Sequence, residues 1–515
     1  MTTLATAPPA PELPELTDVP SPPPVAGSRL RTQVVAGVMW KFLSQGFRQG
    51  SRLIVALILA RLLTPEQFGV AAEVLVISSL VTVFSDLAFG AALIQRAEID
   101  EDDRSTAFWS CVISGLLFTG IGIALAGPVA DFYREPDVKP LLTVLSLQFV
   151  VTSLGTVQES LLTRELRFKL LETRQMIITV GGAAVGIGAA AAGAGAWAII
   201  LQSLSLSVLS TILLWFMSPW RPRLRFSPRA LRNAASFSGY IFGHRLLYYL
   251  HRNSDNLLIG RVVGAASLGA YAIAYNVILV PFSRIASPIQ DVLFPAFSRI
   301  QDEPERIAGG WLRVTRAVAS VTVPMLIGIA IVAGDFVDVV LGPKWHDAAL
   351  VIQILAWVGI LQSLQSLNTG ILEALGRART IFRYTVVFFV AHLIAFAVGV
   401  HWGIIGVAVG YTISTTIIEP SYLWLTARAV GISPWTFLET IAGVFEAGAL
   451  MGLIVLGGHY WMVEADVPTA LRLLGSALLG AAVYVPLIAW RSPLLIDDVK
   501  ELRDRRRQRG AVATV

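Results

Sequence analysis

The sequence has few of the features on which a soluble enzyme depends. Its 515 residues include one cysteine, Cys111, so no disulfide can form within the chain. The nucleotide-binding pattern GxxxxGK followed by Ser or Thr, the zinc-protease pattern HExxH and clusters of Cys and His are all missing. Charged residues make up 15% of the chain, against about 25% in soluble domains. We therefore expect no enzyme activity, no bound cofactor and no soluble domain.

Apolar segments dominate what is present. Hydrophobic residues account for 55% of the sequence, and the mean hydropathy is +0.67. Because a membrane-spanning helix needs about 20 apolar residues, we predict an all-α polytopic membrane protein with about 14 transmembrane helices. The predicted spans are residues 34–61, 67–95, 106–131, 140–162, 172–193, 196–217, 235–262, 267–297, 311–333, 348–373, 380–400, 403–427, 437–458 and 468–490.

The 40 Lys and Arg residues predict how the chain crosses the membrane. They concentrate in alternate connections, as in RELRFK at 164–169, WRPRLRFSPR at 220–229 and DRRRQR at 504–509. Cytoplasmic segments carry such an excess, so we expect a multi-pass protein of the cell (inner or plasma) membrane with both termini in the cytoplasm. Basic linkers of this kind lie on anionic lipid, and we expect no nucleic-acid partner despite the net charge of +5.

Two stretches of the chain match at a constant offset. RLLTPEQFG at 61–69 aligns without a gap with RVVGAASLG at 261–269, and upstream Arg52 aligns with Arg252. A repeat of six helices in one orientation implies two lobes related by a pseudo-two-fold axis along the membrane normal, with the substrate site between them. The predicted units are a disordered Pro-rich cytoplasmic tail (1–30), an N-lobe with helices 1–6 (31–217), a basic cytoplasmic linker (218–234), a C-lobe with helices 7–12 (235–430), two extra helices (431–490) and a basic cytoplasmic tail (491–515).

Basic side chains also occur inside predicted spans. In helix 1, VMWKFLSQGFRQGSRLIVALILAR, the residues Lys41, Arg48 and Arg52 share one face. In helix 7, YIFGHRLLYYLHRNSDNLLIGR, the residues Arg245 and Arg252 also share one face of the helix. Each such cation costs about 2.5–3.5 kcal/mol unless it meets water, a partner or an anionic ligand. The sequence therefore predicts a cationic cavity lined by Arg48, Arg52, Arg245, Arg252, Lys41, Arg284, Tyr248, Tyr249 and His244.

These residue types favour a substrate that carries phosphate and sugar. The donors of arginine meet two phosphate oxygens at once, and tyrosine offers a ring face and a hydroxyl to a sugar. Two acids within spans, Asp86 and Asp255, are candidates for coupling to H+ or Na+. Other interpretations stay open. The basic side chains can extend to the membrane surface or pair with these acids, and each acid can form a salt bridge or cap a helix.

Several motifs occur in a characteristic order and spacing: LTPEQFG at 63–69, FSDLAFGAALIQR at 84–96, LLTRELRFK at 161–169, NLLIGRVVGAASLGAY at 256–271 and LGPKW at 341–345. With them, the chain resembles the Wzx-type polysaccharide-export flippases of the multidrug/oligosaccharidyl-lipid/polysaccharide exporter superfamily, over roughly residues 33–440. The resemblance implies a bilobed helical fold that works by alternating access. It also implies transfer of a polyprenyl-diphosphate-linked oligosaccharide from the cytoplasmic to the outer leaflet, for cell-surface polysaccharide biosynthesis.

By this resemblance the diphosphate meets Arg48, Arg52, Arg245 and Arg252, and the lipid tail stays among the membrane lipids. Polysaccharide polymerases or glycosyltransferases are further expected partners. A lipid-linked peptidoglycan-precursor flippase needs the same cationic cavity and stays open as an alternative. A multidrug cation antiporter needs an acidic or apolar cavity instead. A membrane glycosyltransferase or polymerase needs catalytic acids in a long outer loop, whereas the outer loops predicted here are short.

Overall fold

The computed structural model is almost entirely helical over the residues that it describes. These are residues 45–85 except Gln49 and Arg52, then Leu93, 99–227 and 239–492. Within them, nothing is described of the side chains of residues 83–85, 239–246, 248, 279–292 and 294–296. The described ranges contain no β-strand, which confirms the predicted all-α fold class.

The first half of the described chain is a group of antiparallel helices. Helix α1 comprises the described residues 45–48, 50–51 and 53–62. It is followed by α2 (Pro65–Ser85), α3 (Glu101–Tyr133), α4 (Val138–Arg164), α5 (Phe168–Ala191) and α6 (Trp197–Met217). Short connections make neighbouring helices antiparallel, and the α5–α6 connection turns through Gly193 and Gly195, at φ of 81° and 57°. We call these six helices the N-lobe.

The second half contains the C-lobe. Its helices are α7 (Gly239–Val262), α8 (Ala265–Arg299), α9 (Pro304–Ile331), α10 (His346–Gln365, continued by Asn368–Ala374), α11 (Ala378–Gly399) and α12 (Gly403–Ala429). Between α9 and α10 the chain forms a short α-helix (Ala333–Phe336), a π-helix (Val337–Leu341) and a 3-10 helix (Pro343–Trp345). Tyr271, Trp311 and Trp345 are fully buried in one hydrophobic core that spans this lobe.

Two further helices, α13 (Pro434–Glu464) and α14 (Thr469–Arg491), pack on the C-lobe. Gly452 of α13 lies against α9, where an added Cβ would be 2.8 Å from Cγ2 of Ile327. Arg472 of α14 forms a two-pronged contact with the buried Asp335, with Nε 2.9 Å from Oδ2 and Nη2 2.5 Å from Oδ1. The extra helices are therefore tied to the C-lobe by both packing and charge.

The helices have the length and the surface of a membrane protein. Nine helical stretches among the described residues can cross a membrane, and one of them, Ala378–Ala429, contains both α11 and α12. Large apolar side chains such as Ile417 and Leu453 are about two-thirds exposed, at 71% and 67%, as expected of a surface that faces lipid. The chain is thus a multi-pass membrane protein. The total of 14 helices stays a prediction, because predicted helix 1 begins before the described residues.

The two lobes meet along α2, α7 and α8. We call the end of the molecule with the α1–α2, α3–α4 and α7–α8 connections the distal end. The opposite end, with the α4–α5, α6–α7 and α8–α9 connections, is the proximal end. In the orientation predicted from the sequence, the proximal end faces the cytoplasm.

Candidate functional site

Arg61 and Arg261, which align in the repeat, join the two lobes at the distal end. Arg61 of the N-lobe donates from Nε to the carbonyl of Val340 (2.9 Å) and from Nη2 to that of Val339. Arg261 of the C-lobe donates to the carbonyl of Phe132 near the end of α3. Carbonyls at helix ends lack partners within their own helix. Each arginine therefore pairs with groups that the opposite lobe leaves available.

The motif LGPKW strengthens the contact made by Arg61. The fully buried indole N–H of Trp345 donates to the carbonyl of Ala60 (2.8 Å), and Nζ of Lys344 donates to that of Arg61 (2.7 Å). The Trp345 ring also meets the ring of Phe68 edge to face, at 5.6 Å between centroids. This motif therefore has a structural role in joining the lobes.

The lobes remain in contact deeper in the molecule through α2 and α7. Tyr249, which is 5% exposed, donates from its hydroxyl to the carbonyl of Val76. Val76 lies roughly 16 Å from the distal start of α2, at 1.5 Å per residue. Tyr249, predicted from the sequence to line a cavity, thus lies within the contact between the lobes. The two lobes are joined from the distal end to about the middle of α2.

Glu73 is a buried acid in this contact that was not among the residues predicted from the sequence. Its side chain is 1% exposed, and neither carboxyl oxygen has a hydrogen-bond partner among the described residues. It faces Gly260 of α7, where an added Cβ would lie 3.2 Å from Oε1 of Glu73 and 2.7 Å from the ring of Tyr133. The available signal was a lone acid within the apolar stretch VAAEVLVIS. An ionised carboxylate without a partner costs several kcal/mol in such a place.

On α1, Arg48 pairs within the N-lobe. Its guanidinium forms a salt bridge with Glu172 of α5 and a hydrogen bond with Gln45. The side chains of Arg48 and Glu172 are only 15% and 16% exposed, so this charge is largely compensated. Pairing with an acid was one of the alternatives left open above, although the acid is a different one. Lys41 and Arg52 lie outside the described residues.

On α7, Arg252 and Asp255 have different surroundings. Arg252 is exposed, and its guanidinium lies 5.1 Å from the ring centroid of Tyr275 on α8. Asp255 is 4% exposed and accepts hydrogen bonds from the Tyr271 hydroxyl (3.0 Å) and the backbone N–H of Asn256 (2.8 Å). Asp255 is therefore part of the C-lobe interior, whereas Arg252 is accessible. The structure describes the backbone but not the side chains of Arg245, Tyr248, His244 and Arg284, and Asp86 lies outside the described residues.

A polar and aromatic cluster occupies the C-lobe between α7, α11 and α12. The fully buried His392 has Nε2 3.1 Å from the hydroxyl of Thr415, and its ring lies 5.6 Å from that of His251. Tyr384 stacks on Tyr422 with 3.9 Å between ring centroids. These residues come from distant parts of the chain, so their spacing in the sequence gave no sign of the cluster.

Arg48 and Arg252 are the cations of the predicted cavity whose side chains the structure describes. In the part of the chain with described side chains, no three His, Cys, Asp or Glu residues lie close enough to hold a metal ion. The exposed Arg252 and the largely buried Arg48 lie on α7 and α1, the helices that correspond in the repeat. Such cations can hold an anion between the lobes.

Comparisons with known proteins identify sequence relatives. The family model described as "Polysaccharide biosynthesis protein" matches residues 58–350, more than half of the chain. The teichuronic acid biosynthesis protein TuaB of Bacillus subtilis (strain 168) is 27% identical over 467 residues, covering 90% of this chain and 96% of that protein. The lipopolysaccharide biosynthesis protein WzxC of Escherichia coli (strain K12) is 30% identical over 385 residues, covering 74% and 78%.

Among solved structures, the chain is similar to the lipid II flippase MurJ in an inward closed conformation. The TM-score is 0.70, and the superposition covers 90% of this chain and 100% of that one at 14% sequence identity. At this identity the likeness concerns the fold alone. It agrees with the helical transporter fold expected from the sequence.

Proposed function

The chain belongs to the family of polysaccharide biosynthesis proteins, as its motifs predict, and from this premise we propose that it is a flippase for a polyprenyl-diphosphate-linked oligosaccharide. It moves this substrate from the cytoplasmic to the outer leaflet by alternating access, for cell-surface polysaccharide biosynthesis. The proposal includes a location in the cell (inner or plasma) membrane, cytoplasmic termini and the absence of catalysis by the chain itself.

The observation that carries the proposal is the exposed guanidinium of Arg252 within α7. A cation at this depth costs about 2.5–3.5 kcal/mol against lipid, and an anionic diphosphate offsets that cost. The ring of Tyr275 supports the guanidinium from one side at 5.1 Å. We assign most of the diphosphate binding to Arg252, its repeat partner Arg52, and Arg245.

The contacts at the distal end support alternating access. They join the lobes from Arg61 and Arg261 down to the hydrogen bond between Tyr249 and Val76. Release of substrate at the distal side requires these contacts to separate. Their bonds are to backbone carbonyls, which water can replace, so the separation exchanges hydrogen bonds rather than losing them.

Coupling to H+ or Na+ through Asp86 or Asp255 belongs to this proposal as well. So do contacts with membrane lipids and with the polysaccharide polymerase or glycosyltransferases that would use the product. Relatives named for teichuronic acid and lipopolysaccharide biosynthesis support the class of substrate. The type of sugar is left open by these names, which differ from one relative to the next.

Reconstituted flipping tests the proposal. The full chain is placed in vesicles with a fluorescent polyprenyl-diphosphate-linked oligosaccharide, and transfer is measured by protection from a quencher that cannot cross the membrane. We expect transfer by the wild type and at least a tenfold lower rate for the double variant Arg52→Ala and Arg252→Ala. Loss of two charge-assisted hydrogen bonds, at about 1.5–3 kcal/mol each, accounts for a change of this size.

The matched control is Arg306→Ala. Arg306 is exposed and forms its ion pair with Glu303 at the proximal start of α9, before the predicted span 311–333. This variant should transport at the wild-type rate. Unchanged transfer in the double variant would refute the cationic site, and failure of the wild type to move the lipid would refute the function.

A further inference from the structure

A cavity with both polar and apolar walls lies among the helices of the N-lobe. Its volume is about 270 Å³, and residues of α1, α4, α5 and α6 line it. Val55, Ile178 and Leu206 form apolar parts of the wall. The rest of the lining is mainly polar and includes Thr152, Glu159, Gln175, Gln202, Ser207 and Ser210. Polar groups within a membrane lobe favour a polar occupant.

Small residues shape the space. Gly186 of α5 lies against Gln202 of α6, since an added Cβ would be 2.9 Å from Cβ of Gln202. Gly182 lies against Leu206 in the same way, at 2.5 Å from Cδ2. Glycines let two helices approach closely, so α5 and α6 form one continuous wall. The small side chain of Ser207 then leaves the volume in front of that wall unfilled.

Several groups in the lining have free hydrogen-bonding capacity. Within the described part of the chain, the side chains of Gln175, Gln202, Thr152 and Ser210 form no hydrogen bond with protein atoms. A carboxamide offers two donors and one acceptor, and a hydroxyl offers one donor and two acceptors. The cavity thus presents donors and acceptors side by side. A ligand that also carries both kinds of group, such as a polyhydroxylated ring, matches this pattern.

Glu159, the one acid among the described residues of the lining, is paired with Arg174. Arg174, which is 1% exposed, donates to both carboxylate oxygens of Glu159, at 2.8 and 3.2 Å. The side chain of Glu159 remains 47% exposed, so its oxygens can still accept hydrogen bonds. The pair has no net charge, so the cavity does not select for a diphosphate. It suits a neutral, hydroxyl-rich group.

The cavity begins one helical turn from the ion pair of Arg48 and Glu172. Glu172 and Gln175 are three residues apart on α5 and share a face, with about 4.5 Å between them along the helix axis. Because α5 starts at the proximal end, Gln175 lies deeper than Glu172. A ligand whose anionic group is near Arg48 can therefore extend its neutral part into the cavity.

The last two helices of the C-lobe pack through aromatic side chains. Between α11 and α12, Tyr384 stacks on Tyr422 at 3.9 Å, and the ring of His392 lies 4.9 Å from that of Tyr411. Among the described residues that line the N-lobe cavity, there is no aromatic side chain.

We propose that this N-lobe cavity is a subsite for one sugar ring of the lipid-linked saccharide, an inference that rests on the proposed function. At roughly 30 Å³ for each water, its 270 Å³ corresponds to about nine water molecules. A volume of this size accommodates a single sugar ring. The amides of Gln175 and Gln202 hold the ring hydroxyls, and the carboxylate of Glu159 accepts from them.

Binding measurements with two lipids test the subsite. The full chain in nanodiscs is titrated with a polyprenyl-diphosphate-linked hexose and, separately, with the same polyprenyl diphosphate without sugar. For the double variant Gln175→Leu and Gln202→Leu, we expect about a tenfold weaker Kd for the sugar-bearing lipid, equal to about 1.4 kcal/mol. The Kd for the sugar-free lipid should not change. Ser207→Phe, which fills the cavity and keeps both amides, should give the same selective loss.

The control is Gln353→Leu, an exposed glutamine beside an apolar groove of the C-lobe, and it should alter neither Kd. Unchanged binding of both lipids by the double variant would overturn the subsite and indicate a cavity that holds only water. Equal weakening for both lipids would also overturn it, because the substitutions would then disturb the lobe as a whole. If the wild type binds neither lipid, the proposed function itself fails.

Discussion

Gly69 of α2 and Gly269 of α8 occupy equivalent places where these two helices cross between the lobes. A Cβ added to Gly69 would lie 1.7 Å from the carbonyl oxygen of Ala265, and one added to Gly269 would lie 2.0 Å from that of Pro65. All four residues fall at the offset found in the sequence repeat. A contact in which each partner meets the equivalent residue of the other is the mark of a two-fold axis, so the pseudo-two-fold axis passes through this crossing.

Replacement of Gly69 by alanine should weaken the crossing of α2 and α8. The obstacle is a backbone carbonyl, which cannot rotate away, so the helices must separate at a cost of about 1–3 kcal/mol. We expect Gly69→Ala to lower the thermal unfolding temperature in detergent and to reduce transport. Gly309→Ala, at a helical glycine with nothing within 4 Å, is the control and should be neutral or slightly stabilising. An unfolding temperature for Gly69→Ala equal to that of the wild type would contradict the crossing.

The sequence predicts that equivalent residues of the two lobes meet at this crossing, because an internal repeat implies a symmetry axis between its two copies. The gap-free match of RLLTPEQFG with RVVGAASLG pairs Arg61 with Arg261 and Gly69 with Gly269 from the residue letters alone. Apolar periodicity likewise predicts most helices within a few residues. For example, the predicted span 437–458 lies within Pro434–Glu464.

The partners of the polar groups could not be predicted in this way. Arg48 pairs with Glu172 across 124 residues of sequence, and Tyr249 reaches Val76 across 173. Helical periodicity tells which face a residue occupies, but not which helix packs against that face. The N-lobe cavity could not be predicted for a related reason. A void forms where several packed helices together leave space unfilled, and the sequence does not tell which helices pack together.

The stability of the distal end should depend on pH through Glu135, in the α3–α4 connection. Burial, and then the neighbouring acids Asp137 and Glu66, raise the pKa of its carboxyl above the usual 4.5. The folded protein therefore disfavours the ionised form. This cost is present above the folded-state pKa and disappears as the pH falls through it towards 4.5.

We therefore expect Glu135→Gln to raise the unfolding temperature at neutral pH and to have little effect well below pH 4.5, where the carboxyl of Glu135 is protonated in both the folded and the unfolded chain. Glu165→Gln, at an exposed acid in the proximal α4–α5 connection, is the matched control. A Glu135→Gln variant that is less stable than the wild type at neutral pH would show that the carboxylate is stabilising instead.

The contact of Arg472 with Asp335 should hold α14 on the C-lobe. Asp335 is 7% exposed, and its other ionisable neighbour is His459, with Nδ1 3.7 Å from Oδ2, so removal of Arg472 leaves a poorly paired buried charge, at a cost of up to about 3–5 kcal/mol. We expect Arg472→Met to lower the unfolding temperature more than Asp335→Asn does. The double variant should be more stable than the sum of the single effects predicts. Strictly additive effects would mean that the two side chains do not interact.

The double variant Arg61→Gln and Arg261→Gln should open the distal side more often. Hydrogen bonds from a charged donor contribute about 1.5–3 kcal/mol each, and in the described state these two arginines contact carbonyls of the opposite lobe. Opening can be followed with Val76→Cys, at a buried position beside Tyr249, in a chain whose single cysteine is removed by Cys111→Ala. We expect faster labelling by a maleimide added from the distal side. Arg134→Gln, at an exposed arginine of the same end, should leave the rate unchanged. A double variant that labels as slowly as the Arg134→Gln control would show that other contacts keep the lobes together.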